Sequence, residues 1–188
     1  MKFKLDERGF VLAEFVIALP LLILLLYTLG IVTLNGLKIA REQAANYALE
    51  TEAQYVIDRI TEDARAAQSV KIESGSKYDK IIFICHANRK DGNSDEFYDV
   101  FTQRIYVVHS AQGKYFHIYF KRKEDDRYNN PITGDNTFGD HFVTQFKFDE
   151  SKLPEKILHV TLEMESLVTQ RKIKFSTSVF MPSYIHVE

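Results

Sequence analysis

Between Phe15 and Leu34 the chain reads FVIALPLLILLLYTLGIVTL, roughly 20 residues without a charge, and at ~1.5 Å rise per residue a helix of that length matches a bilayer core of about 30 Å. Glu14 stands at the N-terminal edge of this run. An ionisable residue in such a setting costs a few kcal/mol on insertion scales, about 2.5 to 3.5 for Asp, Lys or Arg at a helix centre, so the carboxylate calls for a partner. Ahead of it, Met1 to Gly9 (MKFKLDERG) carries Lys2, Lys4 and Arg8, the basic excess expected on the cytoplasmic side of a membrane segment. A cleaved secretory signal fits poorly. The apolar run is longer than an h-region of about 7 to 15 residues, and the helical pattern continues past it.

The 188 residues leave room for one membrane anchor and one soluble domain of roughly 120 residues. A formal charge of -2 provides no steering toward nucleic acid, which is not an expected partner. The cluster Lys121-Arg122-Lys123 is followed at once by Glu124-Asp125-Asp126, so its field is cancelled locally and it reads as a solvated turn. The single cysteine, Cys85, excludes both an intramolecular disulfide and an N-terminal lipid anchor. Within Ile81-Ile82-Phe83-Ile84-Cys85 it reads as a small buried hydrophobe.

Helical character runs from Phe10 to about Ser69, because no proline follows Pro20 until Pro131 and the stretch from Lys38 to Gln68 is rich in Ala, Glu, Gln and Arg. Leu49, Ala53, Val56, Ile57, Ile60, Ala64 and Ala67 recur at steps of three and four and stack on one face. Pro20, Gly30 and Gly36 interrupt the apolar half, and Pro20 removes a hydrogen bond to Val16, which predicts a kink or loosened segment. After Ser69 the period becomes two. Segments at about 80–85, 98–109, 114–121, 143–148, 159–165 and 172–181 alternate apolar and polar residues, giving about five to seven strands. Gln112-Gly113 and the stretch from Ser166 to Gln170 read as hairpin connections. A helix with an apolar stripe beside an antiparallel sheet with one apolar face predicts an α+β fold, the stripe packed on the sheet. The division is 1–9 leader, 10–37 membrane half of the helix, 38–69 its amphipathic half, and 70–188 the sheet domain.

Gly9-Phe10-Val11-Leu12-Ala13-Glu14, placed directly before this apolar segment, resembles the class III signal of the type IV pilin superfamily. The resemblance implies cleavage by a prepilin peptidase between Gly9 and Phe10, N-methylation of Phe10, and a role for Glu14, fifth in the mature chain, in pairing with the amine of a neighbouring subunit. It also implies that Pro20, Gly30 and Gly36 are breakpoints that melt during filament packing. The run Val56 to Arg65 and the C-terminal hairpin around Gln170 to Phe180 are similar to larger minor pilins and to a minor pseudopilin of type II secretion. Proline six residues after Glu14 is similar to the anchor of pseudopilins of the tight-adherence system.

The function that this resemblance implies is that of a minor pilin or pseudopilin of a type IV pilus-like, type II secretion or competence filament. Its implied partners are other pilin subunits, the prepilin peptidase, an inner-membrane assembly platform and the bilayer. Its implied location is the inner membrane, single-pass, with the C-terminal domain outside the cytoplasm, and later a filament or the cell surface. The competing expectation is a signal-anchored extracytoplasmic binding module or tip adhesin that does not polymerise.

The loop from Glu124 to His141 offers Asp125, Asp126, Asp135, Asn136 and Asp140 as hard oxygen ligands for calcium, although its spacing fits no EF-hand and the same composition serves plain turns. The expectation is therefore no cofactor, with calcium the one candidate. Six dispersed histidines, and the lack of a GxSxG elbow, a Walker loop or a dinucleotide fingerprint, argue against an enzyme. Tyr115, Phe116, Tyr119 and Phe120 read as core and cross-strand packing.

Overall fold

A computed structural model describes residues 7–90, 97–110, 115–122, 131–133 and 141–185. Over them the chain is one long helix followed by two antiparallel sheets, an α+β fold. Helix α1 is Glu7–Ala66, 60 residues with Pro20 inside it. The chain divides into two compact units, Met1–Gln43 and Ala44–Glu188.

The first unit is helix alone over its described residues. Every residue from Glu14 to Arg41 is exposed, and the helix passes Pro20, Gly30 and Gly36 without interruption.

In the second unit the remainder of α1 carries the predicted stripe. Leu49, Ala53, Val56, Ile60 and Ala64 are fully buried, as is Ala45 one step before them, with Ile57 nearly so. The helix stops at Ala66, three residues short of the predicted end, and β1 (Ala67–Glu73) starts at the next residue. Strand pairing overrides helix propensity here: Ala67 to Glu73 pairs with Cys85 to Lys80, with a register irregularity between Ala67 and Ser69, and Val70 and Ile72 lie against the core.

Sheet A follows the order β1-β2-β3-β4, with β2 Lys80–Lys90, β3 Phe97–Ser110 and β4 Phe116–Arg122. Sheet B follows the order β5-β6-β7, with β5 His141–Asp149, β6 Ile157–Ser166 and β7 Lys172–Phe180. The sequence pattern indicates antiparallel strands but not their division between two sheets. Arg122, expected in a turn, belongs to β4, and Lys121, which the 114–121 alternation and the charge cluster assign differently, is on the strand. The residues 112–113 lie outside the described residues, whereas the β6–β7 hairpin is closed by Ser166 N donating to Arg171 O (3.0 Å) and Gln170 N to Ser166 O (2.8 Å). Gln170 takes the left-handed conformation this turn needs, φ 55.

β6 shows why the sheets face the helix. Its residues alternate without exception between buried and half-buried, placing Leu158, Val160, Leu162 and Met164 inward, as a period of two requires. These join Val143 and Phe146 of β5, Phe83, Tyr106, Ile118 and Phe120 of sheet A and the α1 stripe in one cluster. Each fully buried Val, Leu, Ile or Phe contributes about 1.5–3 kcal/mol of transfer free energy.

Three of the four outer strands are crossed by other chain segments. Ile185 N donates to Gln68 O on β1 (2.7 Å), Ile132 N to Ile118 O on β4 (2.8 Å), and Asp79 N to Phe146 O on β5 (2.8 Å), with Phe146 N returning to Lys77 O (3.1 Å). Such crossings use up edge groups that would otherwise invite pairing.

Candidate functional site

In the apolar half of α1 the two threonine hydroxyls are answered within the helix. The hydroxyl of Thr28 donates to Leu25 O (2.9 Å) and that of Thr33 to Leu29 O (2.8 Å), which is how such side chains are accommodated away from water. Charge resumes at Lys38, which pairs with Glu42 at 3.9 Å. Glu14 is exposed and makes no hydrogen bond or ion pair among the described residues. Among those residues α1 is long and apolar enough to cross a membrane. A Cβ added at Gly30 or Gly36 would meet nothing within 4 Å, so packing inside one chain does not require glycine at either position. Gly9 and Phe10 lie on the backbone of α1.

Carboxylates in the second unit are treated in the opposite way. Asp63, on α1 and 4% exposed, accepts from the Arg104 guanidinium and from the Tyr106 hydroxyl (2.5 Å), both on β3. Burial and the adjacent Asp63 charge push the Tyr106 phenol far above its ordinary value. Burial works against the Arg104 charge, but Asp63 outweighs it and raises the pKa. Arg59 lies 4.4 Å above the Phe120 ring and donates to the Tyr55 hydroxyl (2.8 Å), a cation held over an aromatic face. The cluster fastens α1 to sheet A. A paired acid, a protonated phenol and two arginines supply no activated nucleophile.

Sheet B is fastened by two further anchors. His141, fully buried on β5, places Nδ1 at 2.8 Å from Glu52 Oε2 and Nε2 at 3.2 Å from Ala45 O, both on α1. Composition alone puts this residue at the end of a loop, whereas it opens a strand. Asp79, 2% exposed, accepts from Lys147 Nζ (2.8 Å), Phe148 N (2.9 Å) and Gly75 N (3.0 Å), tying the β1–β2 connection to β5. A Cβ on Gly75 would overlap the Tyr78 carbonyl oxygen, so glycine is required by this close approach.

Cys85 is buried beside α1, and burial raises its thiol pKa, which keeps it protonated and unreactive. The aromatic row packs as predicted: Phe120 against Tyr106 at 5.1 Å, Phe116 against Tyr78 at 4.8 Å, Tyr115 against Phe142 at 5.4 Å, and Tyr119 against His109 at 5.9 Å. Asp125, Asp126, Asp135, Asn136 and Asp140 lie outside the described residues; among the described ones no group of three His, Cys, Asp or Glu is placed to hold a metal ion.

Glu14, Pro20, Gly30 and Gly36 share one helix and are all exposed. The anchors Asp63, Glu52, His141 and Asp79 do not stand out in the sequence. Asp63 has one available signal, a carboxylate directly before Ala64 on the apolar stripe; His141 and Asp79 have none, since, apart from the Gly75 amide beside Asp79, their partners are 65 or more residues distant. Compared with protein-family models, curated proteins and solved structures, the chain matches none.

Proposed function

We propose that this chain is a structural subunit of a type IV pilus-like, type II secretion or competence filament, a minor pilin or pseudopilin made as a membrane-anchored precursor and cut between Gly9 and Phe10. The observation that carries the reading is the fully exposed apolar stretch of α1 with one carboxylate, Glu14, at its start. In lipid or in a filament core that carboxylate is costly unless a cation meets it. The amine freed at Phe10 of a neighbouring subunit, charged also after methylation, is the cation the reading assigns. A subunit entering at the wrong height leaves both charges buried without partners, so the pair also sets axial register.

On this reading Pro20, Gly30 and Gly36 serve packing between subunits and not within one. The anchors in the second unit keep its sheets on α1, so that the domain is carried as one piece outside the inner membrane while the apolar helix enters the assembly platform. The work is assembly, secretion or adhesion, with no catalysis. A groove between α1 and β7, walled in part by Tyr47, Tyr55 and Phe175, favours a second reading, a signal-anchored binding module that does not polymerise.

The test is Glu14→Ala in cells that assemble the filament. Cleavage is retained, while the fraction of the protein in sheared filaments falls at least tenfold. Incorporation equal to the unsubstituted chain contradicts the assigned role.

A further inference from the structure

Strand β7 differs from the other three outer strands. Among the described residues no chain segment donates to or accepts from its outer edge. Met181 N donates to Lys156 O and Ser166 N to Arg171 O, which marks hydrogen-bonded pairs at both ends of a ladder in continuous register. Bonded and non-bonded positions alternate along an antiparallel pair. Lys172, Lys174, Ser176, Ser178 and Phe180 therefore turn their backbone N–H and C=O groups outward.

A groove of about 730 Å³ lies beside this edge, walled by Tyr47, Gln54 and Tyr55 of α1 and by Ile173 and Phe175 of β7. Tyr47 is 73% and Tyr55 49% exposed, so two large rings stand in water over a strip of half-buried apolar side chains. On the opposite face of the sheet, Lys172 is 3.3 Å from Glu165 and Lys174 2.9 Å from Glu163, with the lysine side chains 70% and 60% exposed. Lysines on an edge ordinarily deter pairing. Here each is drawn back over β6 by a glutamate, and Ser176, Ser178 and Phe180 carry no charge at all. An ammonium has three donors, so both lysines keep capacity for a carboxylate on an added strand.

We propose that β7 is an acceptor edge for strand addition. Its occupant is an extended segment of a second protein, about nine residues long, with apolar side chains at alternate positions entering the groove and acidic or neutral ones beside Lys172 and Lys174. Backbone pairing supplies affinity and the groove supplies selectivity, the usual division in strand-addition recognition. A second copy is the weaker occupant. Its own β7 (KIKFSTSVF) brings two lysines and no carboxylate to the pair, so Lys172 and Lys174 gain no counter-charge from it.

The test uses the full chain in lipid nanodiscs with a synthetic nine-residue peptide alternating isoleucine with glutamate and threonine, and a control of the same composition with its isoleucines contiguous. Binding is followed by titration and by amide hydrogen exchange. The expected result is saturable binding with a micromolar Kd, at least tenfold slower exchange across residues 172–180, and no change on β1. Lys174→Glu weakens binding about tenfold. Ser176→Pro removes an outward N–H and no backbone bond to β6, only the exposed hydroxyl contact with Thr161 (3.4 Å), and abolishes the protection; if it does not fold, Lys174→Glu decides. The proposal is overturned by absence of binding at millimolar peptide, by equal binding of the control or of a folded Ser176→Pro chain, or by a concentration-dependent dimer protecting the same amides, which would assign the edge to a second copy.

Discussion

The two halves of α1 share one backbone and dispose of their side chains in opposite ways. From Ala45 to Ala64 the residues of the stripe, Ala45, Leu49, Ala53, Val56, Ile57, Ile60 and Ala64, are buried, and the acid set beside them, Asp63, has two partners on β3. From Glu14 to Arg41 everything is exposed, and Glu14 has no partner among the described residues. The first pattern is that of a helix completed by its own chain. The second is that of a surface awaiting lipid or other subunits, because an exposed apolar patch of this size is not left to water.

Substitutions should separate the halves. Asp63→Ala leaves Arg104 and Tyr106 facing each other without the acid that joins them, and is expected to cost about 3–5 kcal/mol; Glu14→Ala changes the unfolding of the sheet domain by less than about 0.5 kcal/mol. Denaturant unfolding of both variants, followed by tyrosine fluorescence, checks the pair, and equal losses would erase the distinction. Next in size, Leu49→Ala should cost about 3 kcal/mol through lost burial and a cavity, while Leu24→Ala, at a position 63% exposed, should leave the same transition unmoved.

Titration provides a third contrast, confined to the packed half. Tyr106 holds its proton well past the ordinary tyrosine value of 10.0, and burial raises Tyr78 and Cys85 in the same direction. The folded chain therefore retains protons that the unfolded chain releases. Their stabilisation is complete below the unfolded values and declines as pH rises through and above them, by up to ~1.4 kcal/mol per pH unit for a group such as Tyr106. Melting measured from pH 8 to 11 should show this decline, and Tyr106→Phe should flatten the part above about pH 10; an unchanged slope in that variant would show that Tyr106 is not its source. Smallest is Gly36→Ala, which meets open space and should be neutral or stabilising by up to about 1 kcal/mol in the isolated chain. A clear loss of stability there would mean that glycine serves the single chain after all.

The legibility of these features in the sequence depends on the range of the interactions behind them. The α1 stripe and the alternation in β6 are set by neighbours a few residues apart, and both can be read from spacing. The end of α1 is misplaced by local pattern because Ala67 to Ser69 is decided by pairing with Cys85 and Ile84, contacts that local propensity does not register. The division into two sheets is hidden for the same reason. Asp63, His141 and Asp79 reach the elements they anchor through partners 41 to 96 residues away, so their roles emerge only once the chain has folded. Glu14 is legible because its significance lies in its local setting, a charge at the edge of an apolar run.

The central claim, that the leader is cut from the apolar half and that half is handed to other subunits, is tested most directly at the Gly9–Phe10 bond. The measurement is the N-terminal sequence and intact mass of the membrane-extracted full chain, produced with and without an active prepilin peptidase. The account predicts a chain beginning at Phe10 with one added methyl group when the peptidase is present. A chain still beginning at Met1 beside a peptidase that cuts its known substrate would contradict it.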